Sequence, residues 1–308
     1  MGMRIGLTGG GNTVEQIVAQ AQQAEADGFT SLWYASVVMG DPLVPMAIAG
    51  RETSSIELGT GVLQTYPVHP LLQANRVASA ANAMGRPGFT LGIGPSHGEV
   101  VEGTYGYSYA TPGRNTEEYI AALTGLLRGG TVDLDGTEWT VHSAGRMTPV
   151  EQPVPVLLSA LGPRLLRVAG QHADGAILWM AQAKAIGEHV VPKITKAAAE
   201  AGRPAPRVVA GLPVAVHEDR AQAREAAAFW STAFRDMPNY QRILEKGGFA
   251  DAAEAAISGD ERSVTAQLQS LIDAGATDIW ASVFTVGANR SERSASRERT
   301  TDLLRSLL

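Results

Sequence analysis

The 308-residue chain contains no cysteine, which excludes a disulfide framework, a thiol nucleophile and a thiolate metal site, and leaves cysteine usage silent about the compartment. Aromatic residues are sparse at 6%, and no apolar run is long enough to span a bilayer. The chain carries no basic excess: its formal charge of −6 is spread over both halves, with no stretch of interleaved basic and aromatic residues. A nucleic-acid surface and a membrane partner are therefore not expected, and a small-molecule substrate is. The N-terminal residues run into a strand-like segment without an apolar h-region, so a cytoplasmic location is the expectation. What is present, 44% apolar and 18% charged residues, is the composition of a globular domain with a large core.

Strand-like runs alternate with helical patterns along the whole chain. Met3 to Thr8 precedes a helix over Thr13 to Asp27, in which Val14, Ile17, Val18, Ala21 and Ala24 recur at helical spacing before Gly28. Further strands are expected at 31–35, 56–62, 88–93, 156–159, 176–179, 207–214 and 278–284, with helices at 42–51, 70–84, 163–172, 184–201, 263–273 and from about Ser291. After the fourth strand comes an insert, with a helix over Pro112 to Leu127 and a hairpin in VDLDGTEWTV turning about Asp135-Gly136. Two or more extra helices fill 219–257, before the eighth strand. Eight strands alternating with helices match a (β/α)8 TIM barrel as one domain over 1–308, with a doubly wound sheet as the rival. The barrel is preferred because Gly9-Gly10-Gly11 lacks the spacing and acidic partner of a dinucleotide fingerprint.

The densest segment is PVLLSALGPRLLRVAGQHADGAILW, residues 155–179. Val156 to Ser159 is a strand, and Gly162-Pro163 opens a helix with proline where its missing N–H is not needed. Free N–H groups there suit a phosphate, and Arg164 and Arg167 share a helix face beside it. The same dipeptide also serves simply to start a helix. The remaining strand ends, Thr8-Gly9, Ala35-Ser36, Thr60-Gly61-Val62, Gly94-Pro95-Ser96-His97, Ala160-Leu161-Gly162, Trp179-Met180 and Phe284-Thr285, are rich in glycine and poor in carboxylates. Such a lining suits a flat, partly apolar cofactor better than paired-acid hydrolysis or a metal.

LGTGVLQTYPVHP (58–70), FTLGIGPSH (89–97), GRNTEEYIAAL (113–123), VDLDGTEWTV and PVLLSALGPRLLRVAGQHADGAI together resemble, in order, the blocks of the bacterial luciferase-like superfamily, in particular its actinobacterial branch of deazaflavin (coenzyme F420)-dependent oxidoreductases. The resemblance implies a barrel that forms a homodimer, holds F420 in its mouth and transfers hydride to or from an organic substrate. By position it implies a non-proline cis peptide at Gly61-Val62, glycine standing where serine is more frequent. It also implies coenzyme contacts at Ser36, Gln64, Gly94, Pro95, Ser96, Ala160, Leu161, Gly162, Pro163, Arg164 and Trp179.

Ser36-Val37 stands in place of an Asp-His pair, so a sugar-phosphate dehydrogenase of that subtype is not expected. His97 occupies the place of a frequent glutamate. It is the candidate proton donor, the alternative being a hydrogen bond to the coenzyme or a loop carbonyl. FMN is the alternative cofactor, in a two-component monooxygenase, and a non-catalytic flavin-binding protein is a third reading. His69 is expected to cap or pack. Tyr66, Tyr105, Tyr107, Tyr109 and Trp179 are candidate pocket aromatics, with packing as the alternative. Lys184, Lys193 and Lys196 either meet the acidic coenzyme tail or form a solvated face, and Glu117 and Glu118 are expected on a solvated face.

Overall fold

The computed structural model describes residues 2–232 and 234–308. Eight strands are each short and almost wholly buried: β1 (Ile5–Gly9), β2 (Ser31–Tyr34), β3 (Glu57–Thr60), β4 (Phe89–Gly94), β5 (Val156–Ser159), β6 (Gly175–Trp179), β7 (Arg207–Val216) and β8 (Asp278–Val283). Each pairs in parallel with the next, and β8 returns to β1, so the eight strands close into a barrel. The connecting helices are α1 (Val14–Ala26), α2 (Leu43–Arg51), α3 (Pro70–Met84), α4 (Pro112–Leu127), α5 (Pro163–His172), α6 (Val191–Glu200), α7 (Arg220–Trp230), α8 (Pro238–Gly247), α9 (Glu261–Asp273) and α10 (Arg290–Ser306). This is the TIM barrel expected from the alternation of elements.

Local chemistry sets the boundaries. The Thr13 hydroxyl accepts from the Gln16 N–H to start α1, whose Ile17, Ala21 and Ala24 are buried against the barrel. Inside the barrel, Trp33, Leu157, Ile177, Val209 and Trp280 form a separate cluster, with Val62 and Trp179 packed on it towards the C-terminal end. The interior is thus filled with side chains, and space opens only above this layer.

Several expected elements differ in detail. The third strand stops at Thr60; the Gly61-Val62 peptide is cis, and Leu63–Gln64 then pairs with Ile93 and Gly94 of β4. The hairpin turns through Gly136 to Trp139 rather than about Asp135-Gly136. The carboxylate of Glu118 accepts the N–H groups of Thr137, Glu138 and Trp139 at 2.8–3.1 Å and holds the wider turn. Glu118 is therefore an anchor of the insert and not part of a solvated face. The helix expected at 184–201 begins at Ala183 and passes through a π-helical stretch, Ile186–Val190, before α6. The expected helical region 219–257, which includes Ala233 outside the described residues, holds α7 and α8, and at its end Ile257–Gly259 is a short strand that pairs in parallel with Val214–Val216 of β7.

Candidate active site at the barrel mouth

The C-terminal ends of the strands gather most of the expected site residues around one cavity of about 400 Å³. Val62 of the cis pair, the loop Gly94 to His97 and the stretch Leu161 to Arg164 all line it. Gly61 lies behind Val62 for a steric reason: a Cβ at this position would stand 2.9 Å from the Trp280 ring. The indole leaves no room for the serine more frequent in the resembling sequences. Ala160 is fully buried, and Trp179 belongs to an adjoining aromatic cluster rather than to the cavity wall. Ser36 and Gln64 line a second cavity of about 400 Å³ with Val37, Asp41, Gln73 and Arg76. The two cavities share a partition, because Gln64 pairs with Gly94.

Backbone strain concentrates at this end. Among the described residues, the non-glycine residues with positive φ are Met39, Ser96 and Met180, which follow β2, β4 and β6. Ser96 at φ 64° turns the chain so that His97 faces the cavity, and the Tyr109 hydroxyl donates to the Ser96 carbonyl at 2.9 Å to hold the turn. His97 begins the short helix Gly98–Gly103, accepting the Val100 and Val101 N–H groups on its carbonyl. Its ring centroid lies 5.5 Å from that of Tyr240. Burial draws the His97 imidazole below its usual pKa, with Glu99 opposing weakly. The shift favours the neutral imidazole.

At the start of α5, Gly162 is extended and open, and the next N–H groups point outward from the helix end. This donor set, with the guanidinium of Arg164, fits a phosphate monoester or diester. Arg164 and Arg167 do share a face, but both reach the Glu117 carboxylate, at 2.8 and 3.4 Å. Glu117 is thus their counter-ion and not a free solvated charge. His189, buried in the π-helical stretch, donates its Nε2–H to the Leu161 carbonyl at 2.8 Å and fixes the loop from beneath.

His189 was not legible as part of the site, nor were Asn239, Tyr240 and Arg242, which α8 brings over the cavity from beyond β7. A helix displaced from the barrel wall by a long excursion gives no spacing signal that ties it to strands four and five. Burial raises the Tyr240 phenol to about 12, so it is a neutral hydrogen-bonding group.

The other expectations resolve individually. His69 caps α3, its Nδ1 accepting from the Leu71 N–H at 3.2 Å, while Nε2–H donates to the Thr140 carbonyl at 2.9 Å. Tyr109 lines the cavity, and Tyr66 is buried with its ring 5.5 Å behind it. Tyr105 and Tyr107 are exposed, Tyr105 at the rim of the second cavity. Lys184 and Lys196 are exposed, and Lys196 pairs with Glu200 at 3.8 Å.

Residues 3–296 match the profile of luciferase-like monooxygenases. Among similar sequences, the 5,10-methylenetetrahydromethanopterin reductase of Methanolobus tindarius is 30% identical over 80% of this chain and 75% of its own length. The F420-dependent hydroxymycolic acid dehydrogenase of Mycobacterium tuberculosis is 30% identical over 85% of this chain and 77% of its own. Among solved structures, the coenzyme F420-dependent tetrahydromethanopterin reductase from Methanopyrus kandleri superposes with a TM-score of 0.78, covering 100% of this chain and 99% of that one at 21% identity. No helix among the described residues is long and apolar enough to cross a membrane.

Proposed function

Because the chain belongs to the luciferase-like monooxygenase family, we propose that it is an F420-dependent oxidoreductase, a reductase of electron-poor C=C, C=N or C=O groups in a small organic substrate. The observation that carries this reading is the convergence on one cavity of Val62 from the cis pair, the Gly94–His97 loop and the phosphate-suited start of α5. When bound, the deazaflavin supplies a hydride. Leu161, Gly162 and Arg164 hold its phosphate, Val62 and the glycine-rich β4 loop face its ring, and the side chains provide position and proton handling. His97 acts as a neutral imidazole. One ring N–H donates to the substrate heteroatom, where charge accumulates as hydride reaches the neighbouring carbon. Val37, 79% exposed, offers no acid or base at the end of β2.

The assembly proposed is a homodimer. Val44 and Ile48, one turn apart on α2, are 63% and 38% exposed, and Leu72 of the adjacent α3 is 56% exposed. With Val37 and Met39 they form an apolar face that a second copy would cover. Light scattering should give twice the chain mass, and Val44→Glu with Ile48→Glu should give the monomer.

The chemistry is tested by mixing enzyme and chemically reduced F420 with an α,β-unsaturated ketone in the absence of oxygen. Substrate-dependent return of the oxidised deazaflavin absorbance is expected. Oxygen uptake with reduced FMN, and no reaction with reduced F420, would overturn the reading.

A further inference from the structure

The cavity at the mouth gathers positive charge in a chain whose net charge is −6. Among the described residues that line it are Arg164, Arg242 and His97, and no aspartate or glutamate. The two arginines differ in what holds them. Arg164, on α5, donates to the Glu117 carboxylate at 2.8 Å, and Glu117 lies outside the lining. Arg242, on α8, is exposed, and no carboxylate among the described residues pairs with it, although Glu245 follows one turn later on the same helix. Its Nη2–H donates instead to the Asn239 Oδ1. A guanidinium carries more N–H donors than this single contact uses, so the rest of the fork is free. Asn239 also lines the cavity and keeps its amide N–H donors. Tyr240, the next residue on α8, has its ring centroid 5.5 Å from that of His97. This one helix therefore supplies the cavity with the ring beside the candidate proton donor and with a cation that no acid neutralises.

Resting on the F420 reading above, we propose that Arg242, steadied by Asn239, is a carboxylate-binding residue of the mouth. The phosphate-suited start of α5 accounts for Arg164 and leaves Arg242 for a second anionic group. A planar carboxylate matches the guanidinium fork with parallel, charge-assisted hydrogen bonds. The acid-free lining adds to the attraction, because no neighbouring carboxylate repels the ligand or competes for the cation, and a cleft lined by one sign of charge concentrates its field. The carboxylate has two sources, the acidic tail of the coenzyme and an acidic substrate. In the second case Arg242 also orients the electron-poor bond relative to His97. An uncharged ligand of the same shape gains nothing from Arg242.

Calorimetric titrations of the full-length protein compare two pairs of ligands. The first pair is trans-β-benzoylacrylate and its methyl ester. The second is F420 and the corresponding deazaflavin monophosphate, which keeps the phosphate and lacks the acidic tail. With no cysteine in the chain, no thiol adds to the benzoylacrylate double bond. Arg242→Gln should weaken at least one of the two carboxylate ligands about tenfold, while the other member of its pair stays within about twofold of the wild type. Selective loss of benzoylacrylate assigns the carboxylate to the substrate, and selective loss of F420 assigns it to the tail. Arg242→Lys should bring the affected ligand back to within about threefold of the wild type. Asn239→Ala should weaken the same ligand by less. Unchanged affinity of Arg242→Gln for both carboxylate ligands, equal losses within a pair, or a wild type that binds neither carboxylate ligand would overturn the proposal. A wild type that does not bind F420, with benzoylacrylate lost selectively in Arg242→Gln, sinks the coenzyme assignment alone. A wild type that binds F420, with no selective loss in either pair, sinks the role of Arg242 alone.

Discussion

At the base of the barrel Arg207 is gripped by two carboxylates, Glu57 at 2.6 and 3.0 Å and Asp278 at 2.8 and 2.9 Å, whereas at the mouth the cations Arg164 and Arg167 share one partly exposed carboxylate. Arg4 also reaches Asp278, and Thr90 and Thr277 donate to the two acids at 2.6 Å. The Arg207 guanidinium lies under the Trp33 ring at 5.7 Å. The carboxylates of Glu57 and Asp278 each accept from a guanidinium and from a hydroxyl. The mouth, in contrast, has strained backbone at Ser96 and Met180 and open N–H groups at the start of α5. The same eight strands therefore end in a satisfied ionic plug on one side and an unsatisfied, preorganised surface on the other. Stability is concentrated at the first and binding at the second.

The sharpest way to break this comparison is to remove Arg207. Arg207→Met leaves Glu57 and Asp278 with only the more exposed Arg4 as a cation, and a loss of about 3–5 kcal/mol is expected in denaturant unfolding. F420 affinity of the folded variant should be unchanged. The same plug sets an acid limit. Burial favours the protonated form of Asp278, but Arg207, Thr277 and Arg4 outweigh it and hold its carboxyl below the usual range. The folded pKa lies below the unfolded one, so this contribution is complete above about pH 4 and is lost as pH falls through the folded value. Acid unfolding of the wild type should show this limb, and Arg207→Met should flatten it.

At the mouth, Gly61→Ala places a methyl group 2.9 Å from the Trp280 ring. Overpacking of about 1–3 kcal/mol should appear mainly as weakened F420 binding, because the adjacent Val62 lines the cavity. Trp280→Phe in the same chain should restore part of it. His97 should give a separate pH signature. Its active form is neutral, and with a pKa below about 6.5 the kcat/KM profile should be flat at neutral pH and fall in the acid direction. His97→Ala should lower kcat about tenfold and abolish that limb. The smallest effect is expected at His189, a positioning residue. His189→Phe removes one hydrogen bond to the Leu161 carbonyl. The KM for F420 should rise about fivefold, with kcat retained.

The parts that were legible in the sequence are those written in local spacing. The alternation of short apolar runs with helical patterns carried the closed barrel, and Gly162-Pro163 marked the start of α5 because a proline there obeys a local rule. The plug was not legible, since Glu57 and Arg207 are 150 residues apart and meet only when the sheet closes. His189 looked like one polar residue in an alanine-rich helix. Only the π-helical stretch rotates it beneath Leu161. Glu117 and Glu118 read as ordinary surface acids because their partners, two arginines and a turn, come from other elements.

The central claim, that the mouth is a deazaflavin site, is tested most directly by titrating F420 and FMN side by side into the purified protein, following the fluorescence of each at fixed salt. F420 is expected to bind at micromolar concentration or tighter, with FMN weaker by about tenfold or more, equivalent to about 1.4 kcal/mol. The reverse preference, or binding of neither, would contradict it.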